Sequence, residues 1–89
     1  MKNERVCITP TAPANFRVYG TRKTVHGVPV VEVHAGFYLS PDFRYSATRN
    51  EPEDGPGWEI QDSRDRNAGD FARDKRAAIA ALAAYMAMR

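Results

Sequence analysis

This chain contains two regions that differ in the spacing of their hydrophobic residues. Between residues 16 and 61, apolar and polar side chains alternate over short runs, which is the period-2 pattern of β-strands. Between residues 70 and 88 the apolar side chains recur at steps of three and four, which places Ile79, Leu82 and Met86 on one stripe of a helix. Strands followed by a single helix predict an α+β domain.

The strand prediction rests on four runs separated by turn signals. The first run ends at His26-Gly27, a tight turn in which both residues tolerate positive φ. The second run is predicted to be one long strand that bends near Gly36. The four runs are Phe16 to Val25, Val28 to Leu39, Phe43 to Thr48 and Trp58 to Gln61. Residues 1–15 contain two prolines and are predicted to form an extended arm or a short strand.

We therefore expect one domain, residues 1–89, built as an antiparallel meander of three or four strands with the C-terminal helix packed on one face. Alternation places Val31 and Leu39 on the more apolar face, so we expect the helix to cover this face. The opposite face would then display polar and aromatic side chains. These are Arg17, Tyr19, Glu32, His34, Tyr38 and Arg44.

The helix is predicted over residues 70–88, which are rich in alanine and other strong helix formers. Asp70 directly follows Gly69 and is predicted to be the N-cap, so that Phe71 would begin the buried stripe. The other side of the helix carries a strip of small residues: Ala77, Ala80, Ala84 and Ala87. Helix propensity alone would explain this strip, and so would burial of the helix on both sides within its own fold. A flat strip also permits close approach by a second helix, so a homodimer through it is a further hypothesis.

Charge is segregated along the chain, although the net charge is only +2. Residues 1–49 carry seven basic and three acidic side chains, residues 50–70 carry two and seven, and residues 71–89 carry four and one. An acidic block therefore lies between two basic blocks. Such segregation influences the orientation and rate of an encounter more than its affinity.

The acidic block starts in a segment rich in proline and glycine, residues 49–57, which is predicted to be a flexible loop. Its carboxylates, Glu51, Glu53 and Asp54, do not follow the pattern of an EF-hand. We interpret them as a solvated acidic loop rather than as a cation site. An acidic loop of this kind can also mimic a nucleic acid in contact with a protein.

The sequence contains no set of residues with the spacing of a catalytic or metal site. No nucleophile is paired with His34 by spacing, and the lone Cys7 cannot form an internal disulfide. We therefore expect no enzymatic activity, no metal ion and no cofactor. The lone cysteine is typical of the cytoplasm, and no apolar run is long enough to cross a membrane.

Nucleic-acid binding is the alternative interpretation of the sequence. Phosphates are favoured at the start of a helix, where free N–H groups point outward. The basic residues around the predicted start are Arg64, Arg66, Arg73, Lys75 and Arg76. The stretch from Arg73 to Ala83 resembles the second half of a double-stranded-RNA-binding domain, in which strands precede a helix with a basic start. The first helix of that family has no counterpart here, and Asp74 interrupts the basic run.

In its overall appearance the chain resembles small accessory proteins of bacteriophages, including anti-CRISPR proteins. It is short, poor in cysteine, and predicted to be a meander plus a helix without a catalytic motif. The resemblance implies binding to a host protein or ribonucleoprotein complex, such as a CRISPR effector, and occlusion of its surface. Arginine and aromatic side chains often carry the binding energy of interfaces. The candidate contact residues are Tyr19, Tyr38, Arg44, Arg49 and Trp58, together with Glu51, Glu53 and Asp54.

Overall fold

The computed structural model describes residues 4–51, 53 and 55–88, and for Arg66 and Ala68 it describes the backbone only. Within this part of the chain, seven strands form one antiparallel sheet in which each strand pairs with its neighbours in sequence. The strands are β1 (Glu4–Cys7), β2 (Tyr19–Val25), β3 (Val28–His34), β4 (Phe37–Leu39), β5 (Tyr45–Arg49), β6 (Trp58–Asp62) and β7 (Asp65–Ala72). They are followed by one helix, α1 (Lys75–Ala87), and a short 3₁₀ turn, Ala14–Phe16, precedes β2. The α+β class and the meander with a C-terminal helix are confirmed, whereas the expected number of strands is wrong.

One of the additional strands comes from a turn inside the segment predicted as a single strand. His34 of β3 pairs with Phe37 of β4, so Ala35 and Gly36 form a two-residue turn. Gly36 has a φ of 89°, a conformation that glycine adopts without the steric cost of a side chain. The glycine interpreted as a bend therefore reverses the chain. The similar turn predicted at His26-Gly27 is confirmed, with φ values of 49° and 79°.

The last strand, β7, occupies residues 65–69, which lie outside the four predicted strand runs, and residues 70–72, which were predicted to begin the helix. Trp58 pairs with Ala72 and Gln61 with Gly69, after which the register shifts and Asp62 pairs with Asp65. Beyond β7 lies an open edge of the sheet. Polar residues suit an exposed edge strand because they discourage pairing with other chains.

The N-cap of the helix lies four residues later than predicted. Asp74, not Asp70, is the N-cap, and its carboxylate accepts a hydrogen bond of 2.8 Å from the backbone N–H of Ala77. Asp70 remains in β7, opposite Ile60. Phe71 likewise belongs to the strand and is 59% exposed, so it does not begin the buried stripe of the helix. Within the described residues, no helix is long and apolar enough to span a membrane.

The main core lies between α1 and the sheet face that carries Tyr38 and Trp58, whose rings stack 6.0 Å apart. This is the opposite face from the one predicted to meet the helix. Tyr38, Tyr45 and Trp58 are each nearly fully buried there, and such large rings supply much of the area that the helix covers. The core consists of Val30, Tyr38, Tyr45, Ala47, Trp58, Ile60, Ala72, Ala78, Ile79 and Leu82.

Val31 is also fully buried, although it faces away from α1. The backbone of β2 covers it closely, because a Cβ placed on Gly20 would lie 2.6 Å from Cγ1 of Val31 and 3.0 Å from Cδ1 of Ile8. The N-terminal strands therefore protect part of the face that the helix leaves open. The rest of that face, over the later strands, remains accessible.

Candidate binding groove on the helix-free sheet face

The helix-free face of strands β4 to β7 forms a groove of about 660 Å³. We call it the aromatic groove and define it by its apolar lining of Phe37, Leu39, Phe43 and Phe71. The strand register explains why these residues meet. One row across the sheet consists of Phe37, Thr48, Glu59 and Phe71, and the next consists of Leu39, Ser46, Gln61 and Gly69.

Phe71 lies over the backbone of Gly57, the residue just before β6. A Cβ on Gly57 would overlap the Phe71 ring, and Gly57 also has a φ of 137°, which favours glycine. Glycine at this position therefore leaves room for the tip of the Phe71 ring at the end of the aromatic groove. The ring still remains 59% exposed, which is high for a phenylalanine in a small domain.

An ion pair closes the other end of the aromatic groove. Arg44 donates hydrogen bonds from Nε and Nη2 to the two carboxylate oxygens of Asp62, both at 3.0 Å, and its guanidinium lies 4.9 Å from the centre of the Tyr45 ring. Hydrogen bonding from Arg44 lowers the pKa of Asp62 below its usual value, although burial of the carboxyl opposes this effect. The same hydrogen bond raises the pKa of Arg44. The pair is thus fully charged near neutral pH and fixes the orientation of both side chains.

The turn between β4 and β5 holds Phe43 in the aromatic groove. Phe43 has a φ of 67°, an uncommon conformation for a bulky residue. The hydroxyl of the fully buried Ser40 donates to Asp42 at 2.7 Å and accepts from the backbone N–H of Tyr45 at 3.0 Å. Asp42 also accepts from the backbone N–H of Arg44 at 3.2 Å. These bonds stabilise the left-handed backbone that directs Phe43 toward the groove.

The charged side chains that line the aromatic groove give it an acidic character. Asp62 is neutralised by Arg44, which leaves the exposed carboxylate of Glu59, because Asp70 shares the opposite sheet face with Ile60. An apolar groove with a few fixed polar groups is typical of binding sites. The arrangement suits a partner that presents apolar side chains together with a positive charge.

Two of the candidate contact residues are buried and are withdrawn from the proposed interface. Tyr38 is 3% exposed and Trp58 is 6% exposed, because both pack beneath α1. Tyr19 and Arg49 are exposed, and Arg44 lies at the end of the aromatic groove. The contact residues predicted from the sequence thus include one residue of the groove, Arg44, and none of its aromatic lining.

The acidic loop is only partly described. Glu51 and Glu53 are exposed, while Asp54 lies outside the described residues. A second groove of about 840 Å³ lies beside Glu51, between the turn at Gly36 and the start of α1. Arg49 and Lys75 line it as well, so its charge is mixed.

The basic residues assigned to the helix start do not form one cluster. Arg64 lies in the turn between β6 and β7, whereas Arg73 follows the far end of β7. A strand rises by about 3.3 Å per residue, so the two arginines are separated by on the order of 20 Å. Arg73, Lys75 and Arg76 are exposed near the start of α1, and the side chain of Arg66 is not described.

The alanine strip of the helix is mostly exposed. Ala80, Ala84 and Ala87 are exposed, whereas Ala77 is half-buried and packs against the core. Self-association through this strip stays a prediction.

Among the described residues, no group of three or more His, Cys, Asp or Glu side chains has the arrangement of a metal site. Comparison of the chain with protein-family models, curated proteins and solved structures found no match.

Proposed function

We propose that this chain is a small non-catalytic binding protein of the cytoplasm that recognises a protein partner through the aromatic groove. The observation that supports this most directly is the exposure of Phe71 beside Phe37 and Phe43 in a groove that α1 leaves uncovered. Exposed apolar surface bordered by polar groups is typical of protein interaction sites. The lone Cys7 supports the cytoplasmic location.

The charge of the aromatic groove supports a partner with a basic surface. Glu59 adds a negative charge that no described ion pair neutralises. Proteins that process nucleic acids carry positive surfaces along their substrate path. In its most specific form, the proposal is that the protein occludes such a surface on a host complex, for example a CRISPR effector.

The first experiment is a pull-down from bacterial lysate with three forms of the protein. We expect the wild type to retain a defined macromolecular complex and Phe71→Asp to lose it, because a charge replaces the exposed ring of the aromatic groove. Met88→Asp is the matched control, since Met88 is 79% exposed at the end of α1. Equal recovery by all three forms, or no recovery by the wild type, would contradict the proposal.

A second experiment tests the charge of the partner. Glu59→Gln keeps the size of the side chain and removes its negative charge. We expect the variant to associate more slowly with the captured partner, and we expect this difference to shrink as salt is added. A binding rate that is independent of both changes would exclude a basic partner surface.

The occlusion of a CRISPR effector has its own test. Binding of target DNA by a purified effector is measured by gel shift with and without the protein. Wild type should reduce DNA binding and Phe71→Asp should not. Unchanged DNA binding would remove this partner, while the pull-down would still decide whether the aromatic groove binds another protein.

A further inference from the structure

The N-terminal hairpin formed by β1 and β2 is a second exposed surface, with a charge opposite to that of the aromatic groove. Residues 4–25 carry Arg5, Arg17, Arg22 and Lys23 against the single carboxylate of Glu4, a net charge of +3. Nothing in the proposed function uses this surface.

Large apolar side chains are exposed within this basic hairpin. Phe16 is 68% exposed, Val18 is 43% exposed and Tyr19 is 41% exposed. The guanidinium carbon of Arg5 lies over the Tyr19 ring, 4.2 Å from its centre, which is within the range of a cation–π contact. Exposed rings and a positive charge therefore lie together rather than on separate parts of the molecule.

The strand register shows how these groups are arranged. Cys7 pairs with Tyr19 and Arg5 with Thr21, so these residues share one face of the hairpin. Lys23 lies two positions further along the same strand and forms a 3.0 Å ion pair with Glu32. Hydrogen bonding from Lys23 lowers the pKa of Glu32, against the effect of burial, so this carboxylate keeps its charge within a local pair.

The two ion pairs described for the hairpin involve Arg22 and Lys23, and they leave Arg5 and Arg17 available to a ligand. Arg22 is 3.8 Å from Glu4, and both side chains are substantially exposed, so this pair is weak. Arg17, which directly follows Phe16 in the sequence, donates one hydrogen bond from Nε to the backbone oxygen of Ala12 at 3.1 Å. This bond restrains the Arg17 side chain. Arginine has further N–H donors with which it can contact a phosphate.

We infer that this hairpin binds single-stranded nucleic acid, with bases stacked on Tyr19 and Phe16 and phosphates bound by Arg5 and Arg17. Proteins that bind single strands combine a positive surface with aromatic rings, because every unpaired base offers a face for stacking. In a duplex the base faces are already covered, so the exposed rings would contribute little to binding. DNA and RNA share the chemistry used here, and separate probes distinguish them.

The test measures fluorescence anisotropy of labelled oligothymidine and oligouridine of about 15 nucleotides, a length within the usual site range of a single domain. We expect both to bind at low salt, and a duplex of the same length to bind more weakly. Tyr19→Ala and Phe16→Ala should each weaken binding by about 5- to 100-fold, whereas Tyr19→Phe should retain it because the ring remains. Since both rings are exposed, circular dichroism should show that these variants fold.

A charge comparison separates this surface from a general attraction to anions. Arg5→Gln should reduce the slope of log K against log salt by about 0.7, and Arg64→Gln, at the distant turn between β6 and β7, should leave affinity within about twofold. Polyglutamate is the competitor. Any one of four results would overturn the inference. These are no binding at low salt, equal binding by Tyr19→Ala, Phe16→Ala and wild type, equal effects of the two arginine substitutions, and competition by polyglutamate that equals competition by the oligonucleotide.

Discussion

Replacement of Asp74 by alanine tests where the helix begins. The carboxylate of Asp74 accepts a 2.8 Å hydrogen bond from the N–H of Ala77, one of the backbone donors that a helix start leaves without an internal partner. The first turn of α1 contains no acidic residue and begins with Lys75 and Arg76. Asp74 therefore supplies both the cap and the negative charge that the helix dipole favours.

The expected magnitude combines these two effects. Loss of an N-cap typically costs about 1 kcal/mol, and the interaction of the charge with the helix dipole adds roughly 0.3 to 1 kcal/mol. Asp74→Ala should thus reduce the free energy of unfolding by about 1 to 2 kcal/mol. For a domain of this size, that corresponds to a decrease in Tm of roughly 5 to 15 °C. Asp74→Asn keeps the acceptor and loses the charge, so it should cost less than about 1 kcal/mol.

Urea unfolding followed by circular dichroism provides the measurement, and Asp70→Ala is the control. Asp70 is exposed and accepts only from the N–H of its neighbour Phe71, at 2.8 Å, among its described hydrogen bonds. Its replacement should change stability by less than about 0.5 kcal/mol. If Asp70→Ala proved more costly than Asp74→Ala, the helix would begin where the sequence pattern predicted, and the assignment of residues 70–72 to β7 would be wrong.

Three further predictions concern the core, the ion pair and the helix surface. Leu82→Ala removes a fully buried side chain and should cost about 2 to 5 kcal/mol, measured by the urea midpoint. Asp62 has a pKa below its ordinary value in the folded state, so its ion pair with Arg44 should stabilise the protein at pH values above the ordinary aspartate range. This stabilisation should be lost as the pH falls through the folded-state pKa. Arg44→Met should therefore flatten the dependence of the free energy of unfolding on pH between about pH 5 and 2. Ala80→Glu should change folding by less than about 0.5 kcal/mol and lower the solution mass measured by light scattering, and an unchanged mass would exclude self-association through the alanine strip.

Local signals predicted the elements but not where they end. The turn at His26-Gly27 was predictable because both residues were flanked by clear strand patterns. Gly36 carried an equally strong signal, but the alternation continues across it in phase, so the sequence is compatible with one strand or with two. Val31 and Leu39 share a face in either case, since they lie directly opposite each other in the hairpin.

The sequence pattern misplaces the start of the helix because helix propensity carries no information about which residues pair with a neighbouring strand. Asp70 and Ala72 have a low strand propensity, although Phe71 favours strands. All three are extended because they continue the ladder opposite Trp58 to Ile60. The shift to β7 moved Phe71 from the predicted core to the exposed surface. This long-range pairing created the aromatic groove, and no local pattern in the sequence indicated it.

The inversion of the sheet faces has a related cause. Alternation separates two sets of side chains but does not determine which set the helix covers. Alternation with Val31 and Leu39 predicts Tyr38 on the outer face, yet its ring packs with Trp58 in the core. The hydroxyl is accommodated because it hydrogen-bonds Glu32, which also contributes to the lowered pKa of that residue. A polar end with a local partner therefore permits burial of a large ring.

The two proposed surfaces are far enough apart to be occupied together. The aromatic groove spans β4 to β7, while the basic hairpin consists of β1 and β2, so their centres are about four strands apart, or roughly 20 Å along the sheet. A typical interface covers roughly 800 Å² on each partner, which is about an eighth of the 6183 Å² surface of this protein. Neither site therefore needs to exclude the other, and their opposite charges favour different partners. The protein could hold a single strand beside the complex that it binds, so a saturating oligonucleotide should not release a partner captured through Phe71.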